Sequence, residues 1–157
     1  MGLIYMFLQA AEVGHRTYEY QLGLDPNGVK DLVADPDASE HRTGLAVDFI
    51  SAPEWGTFIN ANRNAWKWLC NNAMNYGFIL RYPLGCKDKT GISAESWHWR
   101  YIGKEHAKKF YDVAKKRNLG TTSAEQESKG IMEGAYTGDT TTYYLYTFEE
   151  YYEEFVK

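Results

Sequence analysis

The segment SEHRTGLAVDF, residues 39–49, decides how this chain is organised, because it combines a strand signal with two groups that can bind a metal ion. Residues 45–50, LAVDFI, have the β-branched and aromatic content of a β-strand. Successive side chains of a strand point to opposite faces, so one face carries the apolar Leu45, Val47 and Phe49. The other face carries little bulk except the carboxylate of Asp48, which leaves space above the sheet.

His41 lies just before this strand and can fold back over the same space. A carboxylate inside an apolar strand is costly to bury unless it is paired or bound to a metal ion. A lone histidine before a strand is more often an ordinary hydrogen-bonded residue. His41 and Asp48 alone therefore leave both interpretations open.

The segment SWHWRYIG, residues 96–103, predicts another strand, in which aromatic and polar side chains alternate. His98 and Arg100 then share one face, and the aromatic residues support that face from behind. If His98 faces His41 and Asp48, the three side chains have the ligand count of a catalytic zinc site, whose fourth position is open to water. Nitrogen and oxygen ligands suit zinc, although other divalent metals stay open.

Glu95 lies three residues before His98, and a turn there would bring its carboxylate into the same cavity. A carboxylate at that position can act as the general base that a zinc-activated water requires. The His-Glu-x-x-His helix of many zinc peptidases is absent from the sequence. The candidate ligands therefore come from strands and loops.

The composition predicts one globular domain over residues 1–157. The chain is 44% hydrophobic and 16% aromatic, which provides enough apolar material for a core. A net charge of −4 argues against a nucleic-acid-binding protein, which normally has a basic face. No membrane span is expected, and residues 3–8, LIYMFL, lack the basic region of an export signal. Cys70 and Cys86 are too few for a disulfide scaffold, and a single bridge between them stays open.

The remaining pattern predicts an α+β domain with a central antiparallel sheet flanked by helices, because strands and helices do not alternate regularly. Helices are predicted at 57–75 and 104–117, and GFILRYP at 77–83 predicts a strand closed by proline. The rest is predicted as a polar loop at 85–91, an extended or mobile insertion around 118–145, and a final acidic helix, FEEYYEEF.

Two of these segments resemble the signatures of a known family. Residues 39–48, SEHRTGLAVD, resemble the Ser-x-His-x-x-Gly-x-Ala-x-Asp signature of VanY-like D-alanyl-D-alanine carboxypeptidases, which share a zinc fold with lysostaphin and Sonic hedgehog. Residues 95–101, ESWHWRY, are similar to the second signature of the family, Glu-x-Trp-His-x-Arg-Tyr. The resemblance extends over roughly residues 10–117 and the final acidic helix.

The resemblance implies a role for each candidate residue. The implied zinc ligands and catalytic base are His41, Asp48, His98 and Glu95. Arg16 matches the arginine that holds the substrate and stabilises the oxyanion, a role that suits a planar guanidinium. The implied substrate contacts are Ser39, Gln21, Tyr82 and Trp97. Arg100 is expected to brace a metal ligand from behind.

The resemblance implies a zinc carboxypeptidase that removes the C-terminal D-alanine from peptidoglycan stem peptides, at a D,D or an L,D bond. We expect a monomer that acts in the cell envelope or outside the cell and has no nucleic-acid partner. One alternative is an endopeptidase of phage-endolysin type that cuts L-alanyl-D-glutamate, and another is a non-catalytic binding module with the same zinc fold. The Trp-Arg-Tyr sequence after His98 favours a carboxypeptidase, and the complete set of ligands and base favours catalysis.

Overall fold

A central antiparallel sheet organises the part of the chain that the computed structural model describes, which is residues 37–49, 63–133 and 138–157 with the single positions Glu19 and Gly23. The sheet has the order β1-β3-β2, with β1 at Ala46–Asp48, β2 at Phe78–Tyr82 and β3 at Glu95–Tyr101. Both neighbouring pairs are antiparallel. The predicted fold class and the three predicted strands are therefore confirmed.

Helices flank this sheet. Their bounds are Arg63–Asn72 (α1), Lys87–Thr90 (α2), Lys104–Lys116 (α3), Ser123–Ser128 (α4) and Phe148–Phe155 (α5). The predicted helix at 57–75 is confirmed over α1 and continues as a 3-10 turn at Ala73–Tyr76, while residues 57–62 lie outside the described residues. Gly77 ends this turn at φ +92°. A Cβ at this position would lie 2.5 Å from the Tyr101 ring, so glycine also lets Tyr101 of β3 approach the backbone closely.

Two segments that were predicted as irregular contain regular secondary structure. The predicted loop at 85–91 contains α2, which Gly91 ends in the left-handed conformation. The segment around 118–145 contains α4 and a small two-stranded sheet of β4, Gly120–Thr121, and β5, Tyr143–Tyr144, while 134–137 lie outside the described residues. That this segment is an insertion stays a prediction. The sequence carried a signal for α4, because Thr122 and Glu125 form a capping box at its first turn.

The two faces of the central sheet have different coverings. Directly paired residues of neighbouring strands share a face. On one face, Val47, Leu80 and Trp99 contribute to a core cluster completed by α1 residues such as Trp66 and by other buried apolar side chains. As predicted, the apolar side of β1 faces this core, although Leu45 just before β1 is 39% exposed.

The second face of the sheet is shared between apolar packing and polar groups. Ile79 of β2 packs there with α3 and α5 in a second core cluster. Alternation along the strands places Asp48, His98 and Arg81 on this same face. The helix α5 therefore covers one end of the face that carries the candidate site.

Both cysteines are free. Cys70 lies in the first core cluster and Cys86 is 1% exposed, so the bridge that the sequence left open is not formed. Burial raises the pKa of the Cys86 thiol to about 12, which keeps it protonated and unreactive. Among the described residues, no helix is long and apolar enough to cross a membrane.

Candidate metal centre

A 3-10 turn at Glu40–Thr43 brings His41 over the start of β1. The turn ends at Gly44, which has φ +70° and donates its N–H to the His41 carbonyl oxygen. This left-handed position favours glycine and lets the chain reverse into β1 directly after the turn. His41 is consequently 2% exposed, although it lies outside any long element.

His41, Asp48 and His98 meet above the second face of the sheet. Asp48 pairs directly with His98 across β1 and β3. Asp48 Oδ1 lies 3.3 Å from His41 Nε2 and 3.2 Å from His98 Nδ1, and the three donor atoms all lie within 4.8 Å of one another. All three residues are buried. The structure therefore brings together the three residues that the sequence predicted as ligands.

This donor set fits a zinc ion. Tetrahedral zinc with bonds of about 2.0–2.1 Å to nitrogen and oxygen places neighbouring donor atoms about 3.3 Å apart. The two separations to Asp48 Oδ1 match that value. Two imidazole nitrogens and one carboxylate oxygen are also a ligand set that zinc enzymes use when they leave a fourth position open. The group of His41, Asp48 and His98 could hold a metal ion.

Glu95 reaches the same cluster through an irregularity in β3. Residues three apart in a regular strand point to opposite faces, so a regular β3 would separate Glu95 from His98. Leu80 pairs with Trp99, yet Tyr82, two positions later in β2, pairs with Glu95, four positions earlier in β3. This register shift brings Glu95 Oε2 to 3.4 Å from His98 Nδ1. The sequence predicted a turn here, and the structure has a bulged strand instead.

Two residues near His98 were missed from the sequence. Glu40 Oε2 lies 3.5 Å from His98 Nε2, on the side of the imidazole that faces away from Asp48. Arg81 Nε donates a 2.8 Å hydrogen bond to Glu40 Oε1. The position of Arg81 on the face of β2 shared with Ile79 was readable from strand alternation, but Glu40 lies in a turn where no periodicity assigns a direction.

The charges around the site stabilise one another. Burial opposes the charged form of Glu40, but His98 and Arg81 outweigh this effect and lower the pKa of Glu40 to about 2. Burial also opposes the charged form of His98, yet Asp48 and Glu40 raise its pKa to about 9. The pKa of Asp48 lies well below its usual range, because its contacts with His41 and His98 overcome the cost of burial. The cluster strongly favours a cation beside its carboxylates.

The other predicted site residues have different surroundings. Ser39 is buried beside the turn that carries His41, and the Tyr82 ring centroid lies 5.0 Å from that of His98. Trp97 is half-buried and packs against the first core cluster. Arg16 and Gln21 lie outside the described residues. The substrate roles of all five residues stay predictions.

Arg100 lies close to the candidate ligands, and its role in bracing one of them stays a prediction. Its Nη1 is 3.4 Å from Glu40 Oε1, so it reaches His98 only through Glu40. Its guanidinium also lies 5.7 Å from the centroid of the Phe148 ring of α5. His106 Nδ1 lies 2.7 Å from the Tyr151 hydroxyl of α5.

The site lies within a segment that matches a known family. Residues 9–104 match the family model of VanY, D-alanyl-D-alanine carboxypeptidase, which covers more than half of the chain. The chain belongs to the VanY family. The resemblance drawn from the two signatures is thereby confirmed, and both signatures lie inside the matched segment.

Individual members of the VanY family resemble this chain in sequence and structure. A D-alanyl-D-alanine carboxypeptidase from Enterococcus faecalis is 47% identical over 79 residues, which are 50% of this chain and 28% of that protein. The vancomycin resistance D,D-pentapeptidase VanY from a VanB-type cassette, solved as a mutant with Zn(II), is 34% identical with a TM-score of 0.55, covering 63% of each chain. The LD-carboxypeptidase LdcB is 33% identical with a TM-score of 0.55, covering 70% of this chain and 60% of LdcB.

The chain spans only part of these VanY-family proteins. It covers between 28% and 51% of the length of the curated relatives that it matches. The family model ends at residue 104, so α3, α4 and α5 lie beyond it or extend past its end. The C-terminal third of the chain thus lies beyond the segment that the family model matches.

Proposed function

We propose that this protein is a zinc-dependent carboxypeptidase that removes the C-terminal D-alanine from peptidoglycan stem peptides. The observation that carries the proposal is the buried convergence of His41, Asp48 and His98, with the Glu95 carboxylate 3.4 Å from His98 Nδ1. Membership of the VanY family supports the same reaction. Stem peptides are found in the cell wall, so the proposed place of action is the cell envelope or outside the cell. The proposed form of the protein is a monomer.

His41 Nε2, Asp48 Oδ1 and His98 Nδ1 are the atoms that would hold the zinc ion, since these atoms face one another. A bound zinc ion would polarise the scissile carbonyl and lower the pKa of a water molecule. The VanY neighbour solved with Zn(II) supports zinc as the metal.

Glu95 is the proposed general base. It would accept a proton from the attacking water and pass that proton to the leaving amine of D-alanine. Its side chain is 9% exposed, so bulk water does not compete strongly for the carboxylate. Its place at the bulged end of β3 aims it at the cluster from the strand that also carries His98.

The proposed substrate contacts surround the ligands. Ser39 precedes the His41 turn and Tyr82 packs beside the His98 ring, so both can line a pocket for the terminal D-alanine. The family resemblance supports Arg16, Gln21 and Trp97 as further contacts. Arg16 would supply a fixed positive charge to the developing oxyanion or to the substrate carboxylate.

The bond that is cut follows from the stem peptide that is accepted. A D,D enzyme trims a pentapeptide, and an L,D enzyme trims a tetrapeptide. Similar identities to the D,D-pentapeptidase VanY, 34%, and to the LD-carboxypeptidase LdcB, 33%, support both bonds equally. The experiment therefore includes both substrates.

The test is mass spectrometry of purified tetrapeptide and pentapeptide muropeptides incubated with the protein, with and without a chelator. We expect loss of a single terminal alanine from one of the two forms, abolished by the chelator and restored by zinc. In a matched incubation, the Glu95→Gln variant should bind zinc but leave both peptides intact. Cleavage between L-alanine and D-glutamate would replace the proposal with an endopeptidase. Intact peptides with zinc bound to the wild-type protein would favour a binding module.

A further inference from the structure

A continuous chain of charged side chains connects the candidate metal centre with the last helix of the protein. Glu149 of α5 binds Arg81 of β2 through two contacts, Oε1 to Nη2 at 2.5 Å and Oε2 to Nη1 at 3.2 Å. The remaining guanidinium donor, Nε, binds Glu40 Oε1 at 2.8 Å. Glu40 Oε2 then faces His98 Nε2 at 3.5 Å. The contacts of Arg81 are hydrogen bonds, whereas the 3.5 Å separation of Glu40 Oε2 and His98 Nε2 is an ion-pair distance at which no hydrogen bond is formed in this structure.

The inner members of this chain are shielded from solvent. The side chains of Arg81 and Glu40 are 9% and 14% exposed, while that of Glu149 is 39% exposed at the outer end. The planar guanidinium presents its donors in fixed directions, so a single Arg81 orientation can serve both carboxylates. Arg81 therefore fixes the Glu40 carboxylate from behind while Glu149 fixes Arg81.

We propose that Glu40 is a positioning residue for the metal ligand His98, and that α5 holds Glu40 in place through Glu149 and Arg81. The inference rests on the proposed function, because it assumes that His98 binds the metal through Nδ1. An imidazole that binds a metal through Nδ1 carries its proton on Nε2. A carboxylate that accepts a hydrogen bond from this Nε2–H orients the ring and selects the tautomer with a free Nδ1 lone pair.

The proposal assigns a task to a helix that lies beyond the end of the family model. Glu149 lies beyond residue 104, where the family model ends, whereas Glu40, Arg81 and His98 lie inside it. Packing of α5 over the second face of the sheet brings Glu149 to Arg81, 68 positions earlier in the chain. The C-terminal helix is accordingly part of the metal centre, although it supplies no ligand.

Glu40→Gln is the sharpest test, because it keeps the size of the side chain. Glu40 uses one oxygen towards Arg81 and the other towards His98. Glutamine has one oxygen, so either Arg81 or His98 must face an amide NH₂ group, which donates hydrogen bonds and cannot accept one. Loss of such a supporting group typically lowers metal affinity about 10–100-fold. Glu149→Gln should also lower the zinc affinity, but by a smaller factor than Glu40→Gln, because Arg81 keeps its bond to Glu40.

The experiment measures zinc dissociation constants by competition with a chromogenic chelator, on the full chain at one pH. Asp37→Asn is the control for Glu40, since Asp37 is an exposed acid beside the same turn and pairs with Arg42. Glu153→Gln is the control for Glu149, since Glu153 lies on α5 and pairs with Lys157. Both controls should keep the wild-type affinity. In nitrogen-15 spectra of the zinc-loaded protein, the Nε2 proton of His98 should be protected in the wild type and lost in Glu40→Gln.

The outcomes separate this inference from the function on which it rests. If the wild type binds zinc, and Glu40→Gln has the same zinc affinity and the same His98 Nε2 signal as the wild type, the inference is overturned and the proposed function stays intact. A wild-type protein that does not bind zinc would overturn both. If Glu40→Gln does not fold, Glu149→Gln is the deciding variant, because its partly exposed site tolerates a change that keeps the size of the side chain. A zinc affinity of Glu149→Gln equal to that of Glu153→Gln would overturn the role of α5.

Discussion

Replacing Arg81 with methionine is expected to lower the free energy of unfolding by about 3 kcal/mol, because it leaves the buried Glu40 without its nearest countercharge. Arg81 is 8% exposed and binds Glu40 at 2.8 Å. Lowering the pKa of Glu40 from 4.5 to about 2 corresponds to about 3 kcal/mol of stability at neutral pH, shared among His98, Arg81 and Arg100. Removing one partner of a buried ion pair typically costs about 3–5 kcal/mol. The Glu149 contact adds less, since that carboxylate is 39% exposed to screening solvent.

The assay is urea unfolding of wild type, Arg81→Met and a matched control, Arg117→Met. Arg117 also binds a carboxylate closely, with Nη2 at 2.6 Å and 2.8 Å from the oxygens of Glu154, but its side chain is 45% exposed. The control should therefore change stability far less. In a thermal scan, Arg81→Met should shift the midpoint downwards by about 6–12 °C for a chain of this size.

The pH dependence provides a second check on the same variant. The pKa of Glu40 is depressed in the folded protein, so its stabilisation is present above pH 4.5 and is lost as the pH falls from 4.5 towards 2. The difference between wild type and Arg81→Met should be largest near pH 7 and should shrink over that window. Equal losses for Arg81→Met and Arg117→Met, or a difference that does not change with pH, would refute the reasoning.

Further predictions concern the site and the loop after β2. Glu95→Gln should lower turnover about 10²–10⁴-fold while zinc content measured by atomic absorption stays at the wild-type level, since the base is not a ligand. Asp48→Asn should remove most zinc binding, and with it the thermal stabilisation of about 2.7 kcal/mol that zinc gives at a hundred times its dissociation constant. Gly85→Ala should cost more stability in urea than Gly91→Ala. Both glycines have positive φ, but a Cβ at Gly85 would lie 2.8 Å from Gln126 Oε1, whereas at Gly91 it meets no described atom within 4 Å.

The elements that could be predicted from the sequence are those with several turns or alternations of clear pattern. The strands at 78–82 and 95–101 and the helix at 104–116 are long enough to show such patterns, and each contributes buried side chains to a core. The short helices at 87–90 and 123–128 span too few residues for periodicity to appear. Their surroundings, such as the contact of Gly85 with Gln126, are needed to explain why these segments are ordered.

The candidate ligands were predictable because they depend on local geometry. His41 and Asp48 are separated by one turn and one short strand, and His98 alternates with two tryptophans in its own strand. Alternation also predicted that Asp48 and His98 lie on polar faces of their strands. The sequence predicted the position of Glu95 near His98 only on the condition of a turn before His98, because a regular strand would have directed Glu95 away from it.

Local sequence was therefore sufficient to choose the candidate ligands and the fold class, since side-chain alternation and two short signatures are properties of neighbouring residues. The register shift that turns Glu95 towards His98, and the contacts of Glu40, Arg81 and Glu149, depended on tertiary structure. Arg81 lies 41 positions from Glu40 and 68 from Glu149, so no local pattern relates them. Their contact exists because α5 packs over the second face of the sheet and buries Arg81 where only carboxylates can balance its charge.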